Sequence, residues 1–449
     1  MSVAESHTAA PSANHRQPYP AYKDSGVEWL GNVPSHWRLK RLKYAASMSA
    51  AKLTEKPADL TYLGLENVEA GTGQLLIDTP TENVESVVNR FVEGDVLFGK
   101  LRPYLAKVVR ATFDGVCTTE MLALHPGRDV DGKYLFYRLL SEDFINLVNS
   151  FTYGVKMPRV SSEQIGDVYI VLPSLVEQRA IAAFLDRETA KTDALIAKKE
   201  RQIELLRERR AVFVSHMVTK GLDSSVPTKE SGVEWLGDIP EHWEIKRLRF
   251  IAQVRTGVAK GRNVVLAETV QLPYLRVANV QDGYLNLEDV ATITVGADEV
   301  TRYALKQGDV LMNEGGDFDK LGRGAVWSGQ ISPCLHQNHV FAVRPRRGTD
   351  PHWLAAVTST SYAKHYFIIN SRQSTNLASI SSTNLAELPV VMPPFEERSA
   401  ILKRIEAETA RIDALITKVQ EHIDKLREHR TALISAAVTG KIDVREDVV

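Results

Sequence analysis

The sequence predicts an α+β protein made twice: two strand-rich mixed domains, each followed by one long helix, with the apolar seams of the two helices buried against each other. Three observations carry this expectation. The phrase from Ser25 through Gly26-Val27-Glu28-Trp29-Leu30-Gly31 to Pro34, His36 and Trp37 returns from Ser231 through Gly232-Val233-Glu234-Trp235-Leu236-Gly237 to Pro240, His242 and Trp243. Later blocks recur in the same order with an offset that grows from 206 residues at Ser25 and Ser231 to 220 at Asp193 and Asp413, as a common scaffold with unequal loops would give. Within each copy, short β-branched and aromatic runs separated by Gly, Asn and Asp give way abruptly to a stretch without Pro or Gly, rich in Ala, Leu, Glu, Lys and Arg.

Composition bounds the rest. At 449 residues, 44% hydrophobic and 25% charged, the chain lies in the globular range and can fill two or three cores. Two cysteines, Cys117 and Cys334, are too few for a disulfide framework or a cysteine zinc site and suit a reducing compartment. No apolar run approaches the roughly 20 residues that span a bilayer, so a cytoplasmic protein without membrane contact is expected. A net charge of −1 gives no global attraction to nucleic acid, but Lys100, Arg102, Lys107 and Arg110 fall in a stretch with no acid between Asp95 and Asp114.

The elements follow in order. Residues 1–20 are polar and rich in Ala, Ser and Pro, a disordered leader; the first mixed domain spans 21–172 and the second 222–392, each with strands and some helix around Tyr134 to Val148 and Trp353 to Phe367. The long helices are expected at 173–221 and 393–441, with a tail at 442–449. Ser174 and Glu177 have the spacing of a capping box, and Gly221 and Gly440 supply the stops. In the second helix Ile405, Ile412, Val419, Leu426 and Leu433 recur every seventh residue, with Ile416 and Ile423 between them, which is a coiled-coil period. The first helix has a weaker stripe with Leu195, Ile196, Ile203 and Leu206; these four, with Ile412, Leu415, Ile416, Val419, Ile423 and Leu426, are the expected helix–helix or partner interface.

Together the paired Gly-Val-Glu-Trp-Leu-Gly openings, the Gly-Asp-Val-Leu blocks, the Lys100-Leu101-Arg102-Pro103-Tyr104-Leu105 segment, the Val160-Ser161-Ser162 and Ile380-Ser381-Ser382 steps and the repeated Asp-Ala-Leu-Ile helices resemble the DNA-specificity subunit of type I restriction-modification systems, from about residue 20 to residue 441. The resemblance implies two target-recognition domains, an antiparallel coiled coil of the two helices and an internal pseudo-twofold duplication. It also implies double-stranded DNA as ligand, no catalytic centre and no metal in this chain, and docking to two adenine-methyltransferase subunits and two restriction/translocase subunits. S-adenosylmethionine, ATP and Mg would then bind on those partners.

The residues agree with a binding role. Met392-Pro393-Pro394-Phe395 lacks the Asn, Asp or Ser that an amino-methyltransferase motif places before its prolines, and there is no Gly-rich phosphate loop. His336-Gln337-Asn338-His339 is read as turn histidines or a DNA-facing loop, not a metal site. DNA binding, to phosphates or base edges, is assigned to Lys100, Arg102, Tyr104 and Lys107, with Lys156 and Arg159, in the first domain; the alternative for the first segment is a solvated loop with Tyr104 capping the core. In the second domain it is assigned to Asn313, Lys320, Arg323, Arg372 and Gln373. The change of residue types predicts two half-sites of different sequence. A coiled-coil assembly scaffold that never touches DNA is the alternative function.

Overall fold

The computed structural model describes residues 17–48, 52–53, 60–76, 87–154, 156–260, 268–316, 321–373 and 378–445. The chain divides into two compact units, residues 1–200 with 421–449, and residues 201–420. The division cuts both long helices, Leu175–Lys220 and Phe395–Val438, so each unit draws on both repeats.

In the first unit, strands Lys52–Leu53, Val88–Phe91, Gly115–Thr118 and Thr61–Leu63 form one sheet in that order; a second runs Ala46–Met48, Met121–Pro126, Val96–Gly99, Val108–Arg110. Helices Gly132–Leu140 and Glu142–Ser150, separated by Ser141, close the core where helix was expected. Trp37, Phe184, Leu185, Ile434 and Val438 share that core, which therefore packs on the start of one long helix and the end of the other. An amphipathic helix gains most of its stability from such burial.

The second unit repeats the plan with other details. Ala252–Arg255, Val340–Pro345, Val310–Asn313 and Gly324–Val326 make the equivalent sheet; Ala291–Gly296, Thr269–Leu275 and Leu335–His336 make another; Gly315–Gly316, Ala378–Ile380 and Ser371–Gln373 make a third. Its core joins Trp243, Trp353, Val214, Val218 and Ile401, again from both long helices. Helices Pro351–Thr358 and Ser361–Ile369 stand where helix was expected, with Thr360 as the N-cap of the second.

Ion pairs within each unit fix the antiparallel course of the coiled coil: Asp193 with Arg430 at 2.9 Å and Glu200 with Arg427 at 2.9 Å in the first, Arg210 with Asp413 at 3.0 Å in the second. Asp193 and Asp413 are repeat counterparts, as are Arg210 and Arg430, so the same pair occurs once in each unit with the helices exchanging roles. Ile203, Ile412, Val419 and Ile423 are buried, whereas Ile196, Leu206, Ile416 and Leu426 are half-buried. Leu195 and Leu415, which are repeat counterparts, are 42% and 43% exposed and lie off the seam.

The described residues nearest the two ends pack on the first unit. Tyr19 is buried, the amide of Asp443 donates to the Gln17 carbonyl, and Val444 is fully buried, so residues 17–20 and 441–445 are part of the fold; the rest of the expected leader and tail lies outside the described residues. The apolar side chains of Tyr19, Ile442 and Val444 join the first core, a pull that an average over a polar segment hides. Among the described residues no helix is long and apolar enough to cross a membrane.

Candidate nucleic-acid interface

The repeated opening phrase is a structural anchor. In the first unit Glu177 accepts hydrogen bonds from the Trp37 indole at 3.0 Å and the Tyr19 hydroxyl at 2.8 Å, and pairs with His36 at 3.0 Å. In the second, Glu397 accepts from the Trp243 indole at 3.0 Å and pairs with His242 at 2.8 Å. Glu177 does not complete the expected capping box: its amide meets the Ser174 hydroxyl at 3.3 Å, but its carboxylate turns to the His-Trp motif instead. A buried carboxylate needs several donors, and the opening phrase supplies them.

The helix stops rest on the same motif. Gly440, at φ +75°, leaves no room for a Cβ, which would come within 2.5 Å of Pro34 and 3.1 Å of Trp37; Gly221, at φ +79°, faces Trp243 at 3.0 Å. Other polar contacts recur as well. The Glu142 amide donates to the Ser435 hydroxyl and the Ser361 amide to the Ser215 hydroxyl, both at 3.0 Å. Asn67 and Asn279 each accept a backbone amide at 2.8 Å.

One region keeps its backbone bonds and changes its side chains. In the first unit the Lys100 amide donates to the Glu120 carbonyl at 2.8 Å, the Lys100 carbonyl accepts from the Val160 amide at 3.2 Å, and Tyr153 and Arg159 exchange two bonds of 3.0 Å. In the second, the Glu314 amide donates to the His339 carbonyl at 2.9 Å and the Glu314 carbonyl accepts from the Ile380 amide at 2.9 Å, with Arg372 opposite Ser379. Strand register confirms the correspondence, since Met121 faces Gly99 as Val340 faces Asn313. Lys100, Glu120, Arg159 and Tyr153 thus occupy the places of Glu314, His339, Ser379 and Arg372. Such a frame holds different side chains in the same geometry.

The assigned reading residues meet different fates. Arg102 is exposed, held at φ 51° before the short 3-10 turn Pro103–Leu105, and Tyr104 is 53% exposed, so it does not cap the core. Lys100 is half-buried beside them, and Lys156 and Arg159 are exposed, the latter paired with Glu120 at 2.8 Å. Lys107 is half-buried, and its ammonium donates to the Leu65 carbonyl at 2.6 Å. Asn313 is buried at 3% exposure, away from any ligand, with its amide donating to the Val280 and Val277 carbonyls, because it is the counterpart of Gly99 at the end of an interior strand. Arg323 is half-buried and its carbonyl receives the Asn313 amide. Arg372 and Gln373 flank a cavity of about 490 Å³ with Glu314 and His339. Lys320 lies outside the described residues.

The two histidines of the His-Gln-Asn-His run separate. His336 is buried, its Nδ1 donating to the Val340 carbonyl at 2.6 Å, and burial lowers its pKa so that the ring stays neutral. His339 is exposed and its Nδ1 lies 2.7 Å from Glu314. Burial pushes the thiols of Cys117 and Cys334 up to about 12, which keeps both protonated and unreactive. Met392-Pro393-Pro394-Phe395 joins strand Pro389–Met392 to the second long helix.

Known proteins match this arrangement. The family described as the type I restriction modification DNA specificity domain matches residues 88–205. The specificity subunit of the type I restriction enzyme MjaVIII of Methanocaldococcus jannaschii is 24% identical over 92% of this chain and 94% of its own length. That of EcoKI from Escherichia coli K12 is 22% identical over 71% and 67%. The chain is thus similar to type I specificity subunits along most of its length. A solved structure described as bearing on complex assembly and conformational transition of the type I R-M system shares the fold, with a TM-score of 0.59 at 18% identity over 90% of this chain and 98% of that one.

Within this fold, His339 is a frame position in a run the sequence had offered as a DNA-facing loop, whereas Glu120 and Ser379 are frame positions that sequence reasoning missed. The signal was present in the repeat itself, where Lys100 falls opposite Glu314. It was obscured because Glu120 lies outside the acid-free stretch in sequence, yet strand pairing brings it beside Lys100.

Proposed function

We propose that the chain is the sequence-reading subunit of a type I restriction-modification complex, that each unit reads one half of a bipartite, asymmetric DNA target, and that the chain itself performs no chemistry. The observation that carries this reading is the shared backbone frame with exchanged side chains. A duplicated scaffold whose anchoring contacts recur while one exposed platform changes charge is suited to recognising two different ligands of one class. Bases in duplex DNA are such ligands: their edges differ while the surrounding phosphates do not.

Arg102, Lys156 and Arg159 supply cations for phosphates and guanine edges in the first unit; Arg372 and Gln373 supply a cation and an amide in the second. The long helices set the gap between half-sites. Leu195 and Leu415 fit docking of two copies of one partner, read as adenine methyltransferases, with two restriction/translocase subunits beyond them. S-adenosylmethionine, ATP and Mg are assigned to those partners.

The test is retention of the complex with its methyltransferase on duplex DNA. Sequence-specific retention that falls steeply as salt rises supports the reading. Salt-independent assembly with no retention on any duplex would instead indicate a coiled-coil scaffold.

A further inference from the structure

Several polar contacts that place a backbone segment in one unit have counterparts in the other, but the acid and the base at the centre of the frame trade places. Lys100 stands beside Glu120 in the first unit, and Glu314 stands beside His339 in the second. The Glu314 main chain is pinned on both sides, by the His339 carbonyl and the Ile380 amide, each at 2.9 Å. Its carboxylate is oriented by His339, whose Nδ1 meets Oε2 at 2.7 Å. The pair lines the cavity of about 490 Å³ whose polar walls include Arg372 and Gln373.

Resting on the DNA-reading function above, we propose that Glu314 is the specificity-determining residue of the second unit, accepting a hydrogen bond from the exocyclic amine of a cytosine or adenine, and that His339 is its positioning residue. A carboxylate turned toward a polyanion lowers affinity for every duplex, so its benefit lies in discrimination. An ionised carboxylate only accepts, and in the major groove the amines of cytosine N4 and adenine N6 are the donors it can meet. His339 holds Oε2, and Oε1, to which none of the described residues donates, receives the amine. The neighbouring Arg372 guanidinium offsets part of the repulsion from the backbone. Lys100, in the equivalent place, donates instead and suits guanine O6 and N7. The two half-sites therefore differ at the position that each frame reads.

The experiment uses the full chain assembled with its methyltransferase and a library of duplexes randomised across both half-sites, with methylated sequences as readout. For Glu314→Gln the preference at one position of one half-site falls between about five-fold and about a hundred-fold, the wild-type base there is cytosine or adenine, and the other half-site is unchanged. Binding to non-target duplex stays equal or rises, because a negative charge is removed. Glu314→Asp, which keeps the charge and shortens the reach, shows the same one-position loss and serves if the Gln variant does not assemble. His339→Gln weakens the same position less. An unchanged motif in Glu314→Gln and Glu314→Asp, with the wild type still sequence-specific, overturns the assignment of Glu314 and leaves the DNA-reading function standing. A wild-type complex without any sequence preference overturns both.

Discussion

Glu177 and Glu397 show how single residues tie the repeats to their helices. Removing the Glu177 carboxylate leaves the buried Trp37 indole and Tyr19 hydroxyl without acceptors, each costing about 1–3 kcal/mol. Glu177→Ala is therefore expected to destabilise the chain by at least about 2 kcal/mol in denaturant unfolding, with Glu177→Gln less severe. A change within about 0.5 kcal/mol, the range of an ordinary surface substitution, would show that the anchor is dispensable. His336 gives a pH signature. Its ring is kept neutral by burial, whereas the unfolded chain takes up the proton near 6.5, so stability is lost as pH falls below that value. His336→Gln should flatten the fall in melting temperature between pH 7 and pH 5; an identical slope in both proteins would contradict a neutral buried ring. Ser174 and Glu177 were legible as a helix start, but the partners of Glu177 lie some 140 residues away in sequence, beyond any local pattern.

At the scale of elements, the coiled coil carries the same ion pair in two settings. Arg430 is 7% exposed and donates to the Gly71 and Thr72 carbonyls besides pairing with Asp193, while the Arg210 side chain opposite Asp413 is 36% exposed. Breaking a buried pair costs about 3–5 kcal/mol and an exposed one about 0.2–1. Arg430→Ala should lower stability several-fold more than Arg210→Ala in chemical denaturation; equal effects would mean that the Gly71–Thr72 turn adds nothing. The reading segment makes a second prediction. Lys100→Ala with Arg102→Ala should abolish recognition of one half-site, since each bidentate pairing with a base edge discriminates by about 1–3 kcal/mol, while assembly is retained. Unchanged methylation specificity would remove this segment from the interface. The heptad stripe of the second helix was readable because period survives in one dimension, and Ile412, Val419 and Ile423 are buried as it required. The weaker stripe of the first helix, with Thr192 and Lys199, reflects polar residues at seam positions. The frame, by contrast, depends on cross-strand pairing, which sequence spacing does not encode.

For the whole molecule, duplication was the legible fact, and the mutual dependence of the repeats was not. Each core takes in the end of the other repeat's helix, Ile434 and Val438 in one and Val214 and Val218 in the other, so the structural units cut across the sequence domains. If the helices set the gap between half-sites, inserting four residues between Ala197 and Lys198 adds about 6 Å, at about 1.5 Å per residue, and keeps the seam roughly in phase. The recognised spacer should lengthen by about one or two base pairs, at about 3.4 Å each, with both half-sites intact. A spacer unchanged in an active complex would place that control in the partner subunits. The most direct test of two-unit reading is base-resolution mapping of the DNA methylation directed by the complex proposed above. Two different half-sites separated by a fixed gap are predicted; one continuous motif, two identical half-sites or methylation without sequence preference would contradict it.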